Sequence, residues 1–138
     1  MDQLSQPTER VAALRRRRTR ILGVAGAVVA ALAVWAIGVG LFGIDLLVSG
    51  GTVAVTSIFF ESLIAALIGW AVLALLEHFS TRYARTIWTV GALAVLLLSL
   101  ALPLTGAVTT TAKITLALMH LAVGAVLITT LRRTSPSP

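Results

Sequence analysis

Three ionisable side chains fall within long apolar stretches of this sequence: Glu61, Lys113 and His120. A charge at the centre of a lipid bilayer costs about 2.5–3.5 kcal/mol on insertion scales, so each of them calls for a partner, a wet position or a function. Lys113 and His120 are two helical turns apart and therefore share one helix face. Glu61 lies about six residues inside its apolar segment, roughly 9 Å from the end remote from the basic N-terminus, in the depth range that Lys113 and His120 bracket. A carboxylate in low dielectric is disfavoured unless a cation or a donor meets it. This predicts contact between the second and fourth apolar segments, with Glu61 facing Lys113, His120 or both as a buried polar cluster that is the candidate binding site. Three readings stay open: an orientation lock or wetted carboxylate, a protonatable Glu/His pair on a proton or cation path, and no contact at all.

The remaining polar groups suit structure better than catalysis. Glu77, His78, Arg82 and Arg85 stand together at the other membrane face and read as a solvated ion network, with Glu77 in reach of Arg82 or of Arg132. The two histidines sit at opposite depths, so no metal triad is expected. The chain contains no cysteine, which excludes disulfides, thiolate chemistry and cysteine-ligated metals. Ser99 has no base oriented by a third group. Gly38-Val-Gly40-Leu-Phe-Gly43 spells a dinucleotide fingerprint, but it lies in an apolar span with no strand before it. No catalytic residue, metal or cofactor is expected, and the chain is not expected to be an enzyme.

What must position these groups is a membrane bundle. Of 138 residues 58% are hydrophobic and only 12% charged, against about 25% charged in soluble domains. A transmembrane helix needs about 20 mostly apolar residues, and four such spans are present, at about 21–44, 55–79, 86–104 and 112–131. Backbone groups in hydrocarbon must be paired within the segment, and no span alternates as a barrel strand does, so each is helical. The expected fold is an all-α, antiparallel four-transmembrane-helix bundle. Pro103 is expected to end the third helix. Between helices one and two, Gly50-Gly51 separates two β-prone runs, which predicts either a small β-hairpin on the outer face or an irregular loop. Small residues at four-residue spacing, Gly23 with Ala27, Ala36 with Gly40 and Ala65 with Gly69, suit close helix packing.

Orientation follows from the cations. The net charge is +6, and six arginines (Arg10, Arg15, Arg16, Arg17, Arg18, Arg20) crowd the tail 1–20. With Arg82, Arg85, Arg132 and Arg133 they make ten basic residues on one side, against Lys113 alone on the other. The positive-inside rule then places both termini, 1–20 and 132–138, in the cytoplasm of a multi-pass protein of the cytoplasmic membrane. The tail is expected to form a short helix leading into span one, and the Pro- and Ser-rich C-terminus to be disordered. A cleaved signal peptide is the main rival for span one, but the apolar run extends well past Ala31-Leu-Ala33. The arginines suit anionic lipid heads and no nucleic acid. Trp88 suits the interfacial aromatic belt, while Trp35 and Trp70 lie deeper.

The strings Arg85-Thr-Ile-Trp-Thr-Val90 and Leu116-Ala-Leu-Met-His-Leu121, with a terminal Leu-Arg-Arg, resemble a domain-of-unknown-function family of small actinobacterial four-helix integral membrane proteins. The resemblance covers most of the chain after the basic tail and implies the four-span fold and a bacterial inner membrane; it supplies no activity. The size and embedded glutamate are also similar to small multidrug-resistance transporters, although their acid lies in the first helix, where this chain has none. Two functions follow as expectations. One is a non-enzymatic structural or interaction subunit, associating with itself or with another membrane protein. The other is a small proton- or cation-coupled transporter, acting as an oligomer through Glu61 and His120.

Overall fold

A computed structural model describes residues 5–134. Helix α1 runs from Ser5 to Trp35 and continues as a π-helical turn over Ala36–Leu41; α2 spans Val55–Phe79, α3 Thr81–Ser99, α4 Ala101–Gly106 and α5 Thr110–Thr134. Four helical stretches are long and apolar enough to cross a membrane: Thr8–Leu41, Val55–Phe79, Arg82–Gly106 and Thr110–Thr134. The expected helix of the N-terminal segment continues without a break into span one, as the first turns of α1 from Ser5. The expected disordered C-terminus lies, from residue 135 on, outside the described residues.

The helices alternate in direction. Helix α1 packs most extensively on α5 and next on α2, while α3 closes the ring between α2 and α5. Helices α2 and α5 therefore face each other across the bundle and touch only lightly. This antiparallel order collects the N-terminal arginines, Arg82, Arg85, Arg132 and Arg133 at one end of the bundle, and puts Lys113 at the other. Two apolar clusters fill the interior. Near the basic end Val24, Ala27, Ala66, Leu73, Trp88, Leu127 and Leu131 are buried together. Toward the other end Ala31, Leu46, Ile58, Ala107, Ala112 and Met119 form the second cluster.

Glycine sets the α1–α5 separation. A Cβ on Gly23 would stand 2.7 Å from the Thr130 methyl, and one on Gly38 would stand 2.8 Å from that of Thr115. Without a strong hydrophobic drive between helices in lipid, such close approach is what makes dispersion and packing effective. The π-helical turn ends in a glycine cap: Gly43 has φ +63, its N–H reaches the Val39 carbonyl at 3.1 Å, and the Ile44 N–H reaches the Gly38 carbonyl at 2.9 Å. Each bond spans one residue more than in the usual glycine-terminated helix, as the wider π turn requires.

The connection between α1 and α2 is the hairpin, with β1 (Leu47–Val48) antiparallel to β2 (Gly51–Thr52). Its turn is Ser49-Gly50 rather than Gly50-Gly51, because Gly51, with φ +125, takes the strand position opposite Val48. So short a hairpin is marginal alone. Here the α4–α5 link supports it: Ser49 N–H donates to Gly106 O at 3.1 Å, Val108 N–H donates to Leu47 O at 2.9 Å, and Leu46 is buried beneath it.

Two local expectations are corrected. The third helix does not end at Pro103. It breaks one turn earlier, at Leu100, and Pro103 sits buried in the first turn of α4, where its missing N–H leaves no intrahelical bond unmade. Trp88 is not at the headgroup surface: it is 4% exposed, and its indole N–H donates to the Gly69 carbonyl at 2.9 Å.

The contact at Gly38 has a measurable consequence. Gly38→Ala should destabilise the detergent-solubilised protein by about 1–3 kcal/mol through overpacking, while Gly40→Ala, at a site open to its surroundings, should change stability by less than about 0.5 kcal/mol. Removing the Thr115 methyl with Thr115→Ser should restore most of the loss, as thermal melts of the Gly38→Ala/Thr115→Ser double variant would show.

Candidate functional site

Helix geometry brings a charged pair together at the basic end of the bundle. Arg20 is the last cation before the apolar run of α1, and Glu77 lies in the last turn of α2. Because the two helices are antiparallel and joined at the far end, these positions meet. Arg20 Nη2 donates to both Glu77 carboxylate oxygens, at 2.7 and 2.8 Å. Arg20 Nε donates to Thr134 Oγ1 at 3.0 Å, and the Thr134 hydroxyl donates in turn to the Leu131 carbonyl at 2.7 Å. One guanidinium thus ties α1, α2 and α5. The Arg20 side chain is 8% exposed and that of Glu77 15% exposed.

The expected partner of Glu77 is therefore corrected. It pairs with neither Arg82 nor Arg132 but with Arg20. Arg82 lies 5.4 Å over the ring of its neighbour Tyr83, and Arg132 and Arg133 are exposed. The guanidinium of Arg20 is the planar fork that suits a carboxylate. Its position is preset by the α1–α5 packing, since Thr134 follows Thr130, the residue that meets Gly23, by one helical turn. The signal was present in the sequence as the last charge of one span and the last acid of the next.

The three residues expected to cluster are not joined. Glu61 is exposed on the surface of α2, whereas its neighbour Ser62 is buried and returns its hydroxyl to the Ile58 carbonyl at 2.7 Å. Lys113 is half-buried near the start of α5. His120 is half-buried, with Nδ1 2.8 Å from the Leu116 carbonyl. A carbonyl can only accept, so Nδ1 carries the proton there. Among the described residues no hydrogen bond or ion pair links Glu61, Lys113 and His120. The reason is topological: α2 and α5 lie on the bundle diagonal and touch lightly, so equal depth does not bring their side chains together.

Other buried hydroxyls follow the same local logic. Thr115 donates to the Thr111 carbonyl at 2.9 Å, which satisfies its hydroxyl proton within its own helix. No group of three or more His, Asp or Glu side chains that could hold a metal ion occurs among the described residues.

The pair makes a strong stability claim. Glu77→Gln should cost about 3–5 kcal/mol, because it leaves the Arg20 charge buried without its counterion. Thr134→Val should cost less, about 1–3 kcal/mol, for the loss of one buried acceptor. Unfolding by added denaturing detergent measures both; equal losses for the two variants would contradict this ranking.

No curated protein and no solved structure shows significant similarity to this chain. A family model does match, over residues 11–137, and so takes in the four membrane-length helices, the hairpin, and both Arg20 and Glu77. The chain belongs to that family, a family of unknown function designated DUF6069.

Proposed function

We propose that this protein is a non-enzymatic subunit of the bacterial cytoplasmic membrane, with both termini in the cytoplasm, which acts by association with itself or with another membrane protein. The observation that carries this reading is where the buried polar groups direct their bonds. Arg20, Glu77 and Thr134 bind one another across three helices, and Ser62 and Thr115 bind the backbone of their own helices. These interactions hold elements in place, as a structural role would require.

The surface supports the same reading. Helix α3 is the span with the smallest buried share, and it turns Val90, Val95, Leu97 and Leu98 outward. Exposed apolar faces of this extent suit lipid or another helix. Orientation rests on the distribution of charge: ten arginines at the end where α1 starts and α5 ends, against Lys113 at the hairpin end. The proton-coupled reading draws no support from the arrangement of Glu61 and His120, which share no hydrogen bond.

Replacing Glu61 by Gln should leave folding, oligomeric state and proton flux in reconstituted vesicles within about twofold of the natural protein, in contrast to the destabilising changes at buried charges. A loss of pH-driven flux confined to this variant would reinstate the transporter. Reporter fusions at each end should both score as cytoplasmic, and a mixed result would overturn the orientation.

A further inference from the structure

Beside Arg20, α1 and α2 leave an open cleft of about 220 Å³ lined by Ala13, Arg16, Arg17, Arg20 and Trp70. Three of its five lining residues are arginines. One of them, Arg20, is only 6% exposed. Its Nη2 and Nε are engaged by Glu77 and Thr134, while among the described residues no partner meets its Nη1. Arg16 and Arg17 are exposed, and no described side chain pairs with either. The cleft therefore holds three positive charges next to one neutralising carboxylate, at the level where the apolar run of α1 begins.

We infer that this cleft is a binding site for the phosphate of an anionic phospholipid headgroup. Guanidinium forks match phosphate oxygens in pairs, and Arg20, already fixed by Glu77 and Thr134, offers a pre-oriented donor in the cleft lining. The half-buried Trp70 completes the lining with an amphipathic ring. Helical periodicity sharpens the assignment. Ala13, Arg16, Arg17 and Arg20 fall at i, i+3, i+4 and i+7 and line one face of α1, whereas Arg15 and Arg18 point to the opposite face. A diffuse attraction of the basic tail to a charged surface would use all of these arginines alike; a built site uses one face. The inference rests on the membrane reading above but not on which side of the membrane the basic end occupies.

Two variants of equal charge separate the cases. The full chain, purified in mild detergent, is offered phosphatidylglycerol, phosphatidylcholine or inorganic phosphate, and retained ligand is counted by native mass spectrometry. Arg16→Gln/Arg17→Gln should reduce retained phosphatidylglycerol at least tenfold. Arg15→Gln/Arg18→Gln should retain it within twofold. The natural protein should prefer phosphatidylglycerol to phosphatidylcholine, whose choline opposes the arginines, and inorganic phosphate should neither be retained nor displace the lipid. Equal losses in the two variants would show surface attraction only and overturn the site. Retention of phosphatidylcholine to the same extent would also overturn it, and displacement by inorganic phosphate would assign the cleft to a soluble anion instead. Thermal melts confirm that both variants are folded. Should Arg16→Gln/Arg17→Gln fail to fold, Arg16→Lys/Arg17→Lys takes its place: it keeps the charge, removes the fork and should still weaken retention several-fold. Reporter fusions test the membrane orientation separately, so failure of either claim is recognisable by itself.

Discussion

A charge that leaves water must be met by another charge, and that constraint fixes the basic end of this bundle. Arg20 stands where the aqueous tail of α1 becomes a membrane span, and Glu77 where α2 returns to the same level. Their two-point contact, with Thr134 as a third partner, converts a boundary problem into a joint between three helices. The joint is directional in a way apolar packing is not, since it requires Arg20, Glu77 and Thr134 to stand at hydrogen-bonding distance together. Whether it adds net stability over an apolar replacement is a separate matter from the large cost of removing one partner alone.

Packing around that joint is set by small residues. Gly23 and Gly38 bring α1 close against the threonines of α5, in the most extensive helix contact of the molecule. At the opposite end the hairpin and the α4–α5 link share backbone hydrogen bonds, which closes the bundle without a charged pair. The two ends are thus held by different chemistry. One uses an ion pair between side chains at the basic end; the other uses backbone pairing over the buried Leu46. The arginine-lined cleft opens only at the first.

That the chain forms four membrane-length helices was legible in the sequence, because uninterrupted apolar length depends on no tertiary detail. The hairpin was half-legible: Gly50-Gly51 marked the turn, but the supporting strand-like contact with Ala107 comes from a distant segment. Which face of a helix looks inward was not legible. Helix α2 is apolar nearly all round, so no stripe distinguishes the exposed Glu61 from the buried Ser62 beside it. Equal depth suggested a Glu61–His120 contact, yet depth is one coordinate of three, and the ring order of the helices placed α2 and α5 on the diagonal. Trp88 was misplaced for a related reason. Its nearness to Arg85 in the chain implied an interface position, whereas the adjacent Gly69 backbone offered the indole an internal acceptor.

The central claim is that Arg20 and Glu77 act as one unit. A double-mutant cycle tests it most directly, with unfolding free energies measured for Arg20→Gln, Glu77→Gln and the double variant in the same detergent. Direct contact predicts a coupling energy above about 1.5 kcal/mol, the double variant being much less destabilised than the sum of the two single ones. Additivity to within about 0.5 kcal/mol would mean that the two side chains are independent and would contradict the account.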